Sequence, residues 1–273
     1  MRLLITGTDI GVGKTWVACA LARALGEAGK SVVAIKPVET GCSGQPSKGE
    51  DGVRLARATG QSHPGSAIIR LPDPVAPVLA SERAGAEIDF DALILKIERF
   101  SDGAEVTLIE GTGGLLTPIT WEWNMVDLAR SIGAAALIVG ADRTGIINHT
   151  LLTLSALELA GVPAAGVVLT TPEPKDQSAG TNAAAIARLS GVVRQAEGLM
   201  AALTVLARTI GRGGGGPVRR RMPDQQGEGP QHEVLLQIFK SNLDLVRSVE
   251  EGQASEGSEP APSEDIANGE TAA

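Results

Sequence analysis

The sequence predicts an α/β protein with a mostly parallel β-sheet and helices on both faces of that sheet. Short apolar segments alternate with segments of helical periodicity through the first 190 residues, and repeated strand–helix units of this kind build parallel sheets. Alanine, valine, leucine and glycine are abundant, whereas tyrosine is absent and only three Phe and three Trp occur. Such small aliphatic residues suit strands that are buried on both faces.

Each element is predicted from its own local pattern. Short apolar runs indicate strands, and apolar residues at three- and four-residue spacing indicate helices. The predicted strands are residues 3–5, 31–35, 106–109, 134–139 and 165–169. The predicted helices are residues 14–29, 87–100, 146–160 and 183–189, with a loop rich in glycine, serine and proline at residues 41–49. Sheets of this type bind ligands at the carboxyl ends of their strands.

The last third of the chain has a different composition. We expect residues 1–190 to form the main domain and residues 191–249 a divergent segment with a Gly/Arg linker at 211–221. Residues 233–249 are amphipathic and are predicted to form a short helix. Residues 250–273 are rich in Glu, Ser, Ala, Gly and Pro, and we expect a disordered acidic tail.

The net charge of −8 does not indicate an acidic domain. Seven of the 32 acidic residues lie in the tail, which has no Lys or Arg, so 25 acidic and 24 basic residues remain elsewhere. A nearly neutral domain has little electrostatic attraction to nucleic acid or to an anionic membrane. We therefore expect neither of these partners.

The sequence also predicts a cytoplasmic protein. Its longest apolar stretch, residues 132–141, is about half of the roughly 20 residues that a membrane span needs. A strand-like run at residues 2–6 stands where a signal peptide would begin, so no such peptide is expected. The two cysteines, Cys19 and Cys42, form no CxxC pair, and a reduced setting is the default.

The strongest motif is GTDIGVGKT at residues 7–15. It follows a predicted strand and opens a predicted helix, the context that a phosphate-binding loop (P-loop) requires. Backbone N–H groups would face the phosphates, Lys14 would neutralise them, and the Thr15 hydroxyl would bind Mg²⁺. The first glycine stands one position earlier than in the strict motif, and Thr8 takes its usual place. The motif predicts a fold of the P-loop NTPase type.

Three further charged residues follow predicted strands or loops. Lys36 stands where the second strand ends and could reach a transferring phosphoryl group, although this segment alone favours a solvated strand-end lysine. Glu110 ends an apolar strand, where an acid commonly supports Mg²⁺ or makes a local hydrogen bond. Asp51 is either a third metal ligand or an acid in the first turn of a helix.

The segment GIINH at residues 145–149 opens a predicted helix. Free N–H groups at such a position can bind a carboxylate, or they can be capped in the ordinary way. His149 is a candidate for either packing or catalysis.

The ordered motifs together resemble the dethiobiotin synthetase family. They are GTDIGVGKT, KPVETG at residues 36–41, Asp51 between Glu and Gly, a proline-containing segment at 74–80, EGTGG at 110–114 and GIINHTLLT at 145–153. The longer phosphate loop, with its threonine and aspartate, is also similar to that family. The resemblance covers about residues 1–190.

The resemblance implies an ATP- and Mg²⁺-dependent cyclo-ligase. Its substrate is 7,8-diaminopelargonate, one amine of which takes up CO₂ to form a carbamate. The carbamate oxygen attacks the γ-phosphate of ATP, and the second amine then closes the ring and expels phosphate. The product, dethiobiotin, carries the ureido ring of biotin. The family also implies a homodimer.

The resemblance further assigns roles to residues of this chain. Lys14 and Lys36 flank the phosphoryl group and the carbamate and are the expected catalytic residues. Thr15, Asp51 and Glu110 are the expected Mg²⁺ ligands, directly or through water. The remaining expected nucleotide contacts are Gly11, Val12, Gly13, Trp16, Gly111, Thr112, Gly113, Thr170 and Thr171. The expected substrate contacts are Thr40, Gly145, Asn148 and His149, the last three offered to a substrate carboxylate across a dimer interface.

Two departures from the family bear on these expectations. The family usually has an asparagine-containing segment that reads the adenine, where this chain has Thr170 and Thr171. Looser selection among nucleoside triphosphates is therefore expected. After residue 190 the chain lacks the family's further apolar strand and proline-containing loop, so this part is either divergent or packed differently.

The main competing hypothesis is a P-loop ATPase of the partition or positioning type, which acts as a nucleotide-dependent switch. Such loops resemble K-G-G-x-G-K-T and carry a lysine where this chain has Asp9. An acid cannot neutralise a partner's phosphates, which argues against the switch. An amidotransferase-type synthase would need an ammonia source, and no cysteine nucleophile with a base is evident. A nucleotide-binding protein without catalysis stays open at this point.

Overall fold

The computed structural model describes residues 1–190, and the predictions made for residues 191–273 lie outside them. The expected α/β fold is confirmed. The strands are β1 (Arg2–Gly7), β2 (Val32–Ile35), β3 (Val38–Thr40), β4 (Ile69–Leu71), β5 (Val106–Gly114), β6 (Ala135–Ala141) and β7 (Ala164–Thr170). The helices are α1 (Lys14–Glu27), α2 (Asp51–Thr59), α3 (Pro77–Ala84), α4 (Phe90–Ser101), α5 (Met125–Ser131), α6 (Ile146–Leu159) and α7 (Asn182–Ser190).

The main sheet has five strands in the order β2-β5-β1-β6-β7, and every neighbouring pair is parallel. β1 is the central strand, so the loop that follows it opens between the ends of β5 and β6. Because all five strands run in one direction, the loops after them meet at one edge of the sheet. This carboxyl edge is where ligands bind in open α/β sheets.

Alternate residues of the strands pack on opposite faces of the sheet. Leu4, Ile109 and Ile138 belong to one large cluster with residues of α4 and α5, such as Leu93 and Leu128. Their strand neighbours are also buried, and α1 contacts β1, β2 and β5. The sheet is therefore covered on both faces, as its composition predicted.

A second, two-stranded parallel sheet was not predicted. β3 pairs with β4, so that Val38 lies opposite Ile69 and Thr40 opposite Leu71. Each strand has three residues, too few for a periodic pattern to be recognised. This small sheet fixes the segment that follows Lys36.

Several predicted boundaries need correction. The strand that was expected to end at Glu110 continues to Gly114, because residues 110–114 still pair with β1, with an irregularity between Ile5 and Gly7. The helix expected from residue 87 begins at Phe90, where the Asp89 carboxylate accepts a hydrogen bond from the Ala92 amide and caps the helix. α2, α3 and α5 were not predicted as helices. Within residues 1–190, no helix is both long and apolar enough to cross a membrane.

Candidate active site

The phosphate-binding loop joins β1 to α1. Gly11 and Gly13 have φ angles of 70° and 92°, a region that costs other residues energy because of their Cβ atoms. Gly13 is the N-cap of α1, and no side chain caps the helix. The first amides of α1 therefore remain available to an anion such as a phosphate.

The Lys14 side chain lies within this loop. Its ammonium donates a hydrogen bond of 2.9 Å to the Asp9 carbonyl, which curls the loop around it. Burial and the nearby Lys36 ammonium lower the pKa of Lys14 to about 8. Trp16 is partly buried in the first turn of α1. The loop thus holds a partly desolvated cation where phosphates would bind.

Lys36 lies at the centre of a buried cluster of charges. Its ammonium donates to Glu110 Oε1 at 2.6 Å, to Asp51 Oδ2 at 3.1 Å and to the Gly111 carbonyl at 3.3 Å. The Thr15 hydroxyl donates to the same Glu110 Oε1 at 2.8 Å. One carboxylate oxygen therefore joins the first turn of α1 to the end of β2.

The charges of this cluster stabilise one another. Burial opposes the charged form of Lys36, but Glu110 and Asp51 outweigh it and raise the lysine pKa above its usual value. Burial raises the pKa of the Glu110 carboxyl, against the opposing effect of Lys36. Burial also acts to raise the pKa of Asp51, yet Lys36 and hydrogen bonds bring it below its usual value. Lys36 therefore favours the ionised form of both carboxyl groups.

The same residues have the donor set that Mg²⁺ prefers, which is a hydroxyl and carboxylates. Within residues 1–190, Glu110 Oε2 is buried and has no hydrogen-bond partner. A buried carboxylate oxygen without a partner is costly unless a cation or water completes it. The Asp51 side chain is 31% exposed, so it can face both Lys36 and an entering ion. Thr15, Asp51 and Glu110 therefore fit a magnesium ion.

The segment after Glu110 is the last part of β5. Thr112 donates a hydrogen bond of 2.5 Å to the Val38 carbonyl, which ties β5 to β3. At Gly113, φ is 68° and an added Cβ would lie 2.5 Å from Thr117 Oγ1, so a side chain would collide there. Gly111 contributes its carbonyl to Lys36. The contacts described for Gly111, Thr112 and Gly113 are with other protein residues. Their contacts with a nucleotide stay a prediction.

Thr170, at the end of β7, contacts the phosphate-binding loop. Its hydroxyl lies 2.8 Å from the Val12 carbonyl and 3.3 Å from the Gly140 carbonyl. A Cβ added at Gly13 would lie 3.1 Å from the Thr170 methyl group. Thr171 is partly buried beside it. The structure thus brings the expected base-reading position to the loop, with its hydroxyl donating to the backbone.

The residues proposed for the substrate lie farther out. Gly145, Asn148 and His149 are exposed in the first turn of α6, and Gly145 has a φ of 93° with no side-chain cap. Arg143, which was not predicted, links this loop to the phosphate-binding loop through its 3.4 Å contact with Asp9 Oδ2. Thr40 is partly buried at the end of β3.

An open pocket of about 450 Å³ lies beside the start of the phosphate-binding loop. Gly7 and Thr8 of the phosphate-binding loop line one side, and Leu116 and Pro118 of the loop after β5 line another. α6 completes it with residues that include Leu152 and Ala156. The cavity therefore combines a mainly apolar lining with direct access to the phosphate-binding loop.

Glu39 was not assigned a role from the sequence. Its carboxylate accepts the amides of Asp51 at 2.6 Å and Gly52 at 2.9 Å. Eleven residues separate Glu39 from Asp51 in the chain, so no local pattern predicts this contact. Glu39 also lies near Cys42 and Glu50, but Glu50 already binds Arg70 through both carboxylate oxygens. We therefore assign no ion to this second group.

The chain is similar in sequence to a known protein family and to several known enzymes. A family model described as an AAA domain matches residues 1–207. The ATP-dependent dethiobiotin synthetase of Anaeromyxobacter dehalogenans (strain 2CP-C) is 41% identical over 192 residues, which are 69% of this chain and 85% of the relative. That of Aquifex aeolicus is 38% identical over 70% of this chain and 86% of the relative.

A third relative has a similar extent. The dethiobiotin synthetase of Mycobacterium sp. (strain JLS) is 42% identical over 70% of this chain and 84% of its own length. Among solved structures, the kinase domain of Escherichia coli tyrosine kinase ETK has a TM-score of 0.42 and 19% identity over 64% of this chain and 69% of that one, a likeness too weak to carry an argument. By its identity to these relatives over most of their length, the chain belongs to the ATP-dependent dethiobiotin synthetase family.

Proposed function

We propose that this protein is an ATP- and Mg²⁺-dependent dethiobiotin synthetase that closes a cyclic urea on 7,8-diaminopelargonate with CO₂. The observation that carries the proposal is the contact of Lys36 and Thr15 with one Glu110 oxygen. Together with Lys14 in the loop and Asp51 beside Lys36, this contact supports a site of two cations and three oxygen-bearing side chains near the start of α1. Such a cluster is suited to phosphoryl transfer, in which positioning and charge neutralisation supply most of the catalysis.

The reaction needs no nucleophile from the protein. One substrate amine adds to CO₂ and loses a proton, which gives a carbamate. A carbamate oxygen attacks the γ-phosphorus of ATP and ADP leaves, so that a mixed carbamic–phosphoric anhydride forms. The second amine attacks the carbamoyl carbon, loses a proton and expels inorganic phosphate. Each step is an addition or substitution at carbon or phosphorus, and no electrons are exchanged with a cofactor.

The chain's own groups would act by charge and position. Lys14 would bind the outer phosphates after leaving the Asp9 carbonyl, and Lys36 would face the carbamate and the transferring phosphoryl group. The first amides of α1 would bind phosphate oxygens. Bound to Thr15, Asp51 and Glu110, directly or through water, Mg²⁺ would neutralise charge on the outer phosphates.

The cavity beside the loop supports the choice of substrate. Its apolar lining at Leu116, Leu152 and Ala156 suits the carbon chain of diaminopelargonate. The uncapped start of α6, at Gly145, Asn148 and His149, would bind the carboxylate. Thr40 would contact the substrate near the reacting amines.

We also propose a homodimer. Leu152 and Leu159 on α6 are 62% and 90% exposed, and apolar exposure on the helix that carries the carboxylate site suits a second copy. The carbon chain of the substrate would then lie in the cavity of one protomer, and its carboxylate would bind at the start of α6 in the partner. A cytoplasmic setting is proposed from the two cysteines, which are both free and buried.

The decisive experiment measures phosphate release with ATP and Mg²⁺. We expect release only when both diaminopelargonate and bicarbonate are present, with dethiobiotin identified by its mass. Phosphate release that ignores both substrates would favour a switch ATPase instead. Nucleotide binding without any release would leave a binding protein and would overturn the proposal.

A further inference from the structure

The helix that carries Asp51 is capped from a distant part of the chain. Its own N-cap residue, Glu50, makes no side-chain cap, because its carboxylate binds Arg70 and the Ser47 amide. The first two amides of α2 donate instead to Glu39, one to each carboxylate oxygen. A carboxylate that accepts both amides fixes the direction of the first turn as well as its position.

The start of α2 is also fixed by packing. A Cβ added at Gly52 would lie 2.2 Å from the Ala67 amide nitrogen, so only glycine fits at this position. Glu39 itself is buried in β3, which pairs with β4. The first turn of α2 is therefore held between the segment at Ala67 and the Glu39 carboxylate.

Glu39 and Lys36 belong to one short segment, separated only by Pro37 and Val38. Lys36 contacts the Asp51 side chain at 3.1 Å, and Glu39 contacts the Asp51 amide at 2.6 Å. The segment thus holds Asp51 at two points, by its carboxylate and by its backbone. The Asp51 side chain therefore has little freedom to turn away from Lys36 and Glu110.

We propose that Glu39 is a positioning residue that sets the affinity of the site for Mg²⁺ through Asp51. The inference rests on the magnesium site of the proposed function. Residues that orient metal ligands commonly change metal affinity by about 10- to 100-fold when they are removed. Glu39 has no place among the ligands itself, since both of its oxygens already accept amide hydrogens.

The test compares nucleotide binding with and without metal, which does not depend on turnover. The affinity of a non-hydrolysable ATP analogue is measured by calorimetry in Mg²⁺ and in EDTA. We expect Glu39→Ala to reduce the gain in affinity that Mg²⁺ gives by about tenfold or more, with binding in EDTA unchanged. Glu39→Gln, which keeps the volume and one acceptor, should give a smaller loss and guards against misfolding of the alanine variant.

Two controls separate positioning from general stability. Asp89→Ala removes the carboxylate cap of α4, a helix that carries no site residue, and should leave the Mg²⁺ effect unchanged. Asp51→Asn should itself weaken the Mg²⁺ effect, and adding Glu39→Ala to it should cause little further loss, because both act on one ligand.

Several results would overturn the proposal. They are a wild-type protein whose nucleotide affinity does not respond to Mg²⁺, Glu39 variants that keep the full response, and additive effects of Glu39→Ala and Asp51→Asn. Absence of dethiobiotin formation, with the Mg²⁺ response and its loss in the Glu39 variants intact, would reject the proposed reaction alone.

Discussion

The Lys36 ammonium lies 2.6 Å from Glu110 Oε1, and both side chains are at most 4% exposed. Such a buried ion pair costs desolvation energy, so it is weak evidence of a purely stabilising role. Here the same carboxylate oxygen also accepts the Thr15 hydroxyl beside the phosphate-binding loop. The pair therefore places a cation where phosphoryl transfer would need one.

Replacing Lys36 tests this placement. We expect Lys36→Ala to lower turnover by about 100-fold or more, because a charge contact to the transition state is lost. Nucleotide affinity in EDTA should stay nearly unchanged, since Lys14 and the α1 amides remain. The free energy of unfolding of the variant should also fall, by about 3–5 kcal/mol, because Glu110 loses its buried partner. Steady-state kinetics, nucleotide titration and urea denaturation measure these effects.

Lys30 provides the matched control. It pairs with Glu105 at 2.8 Å, but both side chains are well exposed, so Lys30→Ala should change stability far less than Lys36→Ala and leave turnover unaffected. Wild-type turnover in Lys36→Ala would remove Lys36 from the mechanism.

The lowered pKa of Lys14 predicts that nucleotide binding depends on pH. Burial and Lys36 lower its pKa to about 8 in the free protein, and the charged form is the one that binds phosphate. Affinity for the nucleotide in EDTA should therefore be full below pH 8 and should fall as the pH rises through that value. Calorimetry at several pH values measures this.

The control for this effect is Lys14→Arg, whose guanidinium stays charged throughout the range. Whatever its size, the nucleotide affinity of this variant should not change with pH near 8. A wild-type affinity that is constant from about pH 7 to 9 would contradict the assignment.

We expect the contacts of Gln61 to affect the stability of the protein and not its turnover. Its side-chain amide pairs with both the amide and the carbonyl of Ala34 in β2, an edge strand of the main sheet. Gln61→Leu leaves these backbone groups without that partner and should cost about 1–3 kcal/mol. Urea denaturation measures the loss, and turnover of the folded protein should be unchanged. Gln177→Ala, at an exposed glutamine, should be neutral, and equal effects of the two would show that the pairing contributes nothing.

The sequence predicted those parts of the fold that have local signals. The five strands of the main sheet follow from short apolar runs, and α1, α4, α6 and α7 follow from helical periodicity. The phosphate-binding loop follows from glycines, Lys14 and Thr15 in a fixed order. The short strands β3 and β4 have no such signal, and α2 is too polar for its pattern to be recognised. Its hydrophobic face has only a few buried residues, such as Leu55 and Ala56.

The site was predicted only as far as single residues carry chemistry. Lys36, Asp51 and Glu110 were candidates because strand ends and acids are typical of such sites, and the structure places Lys36 in contact with both acids. Glu39, Arg143 and Gln61 were missed because their partners lie elsewhere in the chain. The Glu39 contact with the amides of α2 depends on the tertiary fold, which no spacing in the sequence encodes.

The last prediction concerns the base of the nucleotide. The Thr170 hydroxyl donates to the Val12 and Gly140 carbonyls, so its hydrogen is not free to reach a base acceptor. A threonine also lacks the paired donor and acceptor of an asparagine amide, with which an adenine edge can be read. We therefore expect rates with ATP, CTP and GTP that differ by about tenfold or less, compared at equal concentration with diaminopelargonate and bicarbonate.

Thr170→Asn is the variant that separates this expectation from a general weakening. It should increase the preference for ATP, because the amide can offer both a donor and an acceptor, while the loss of the bond to Val12 should weaken binding of all three nucleotides about equally. Thr170→Val, which removes only the hydroxyl, should weaken all three to a similar extent without any gain in preference, by about 1 kcal/mol. A steep preference of the wild type for ATP would contradict loose base selection, and the role of Thr170 would then be limited to its contact with the phosphate-binding loop.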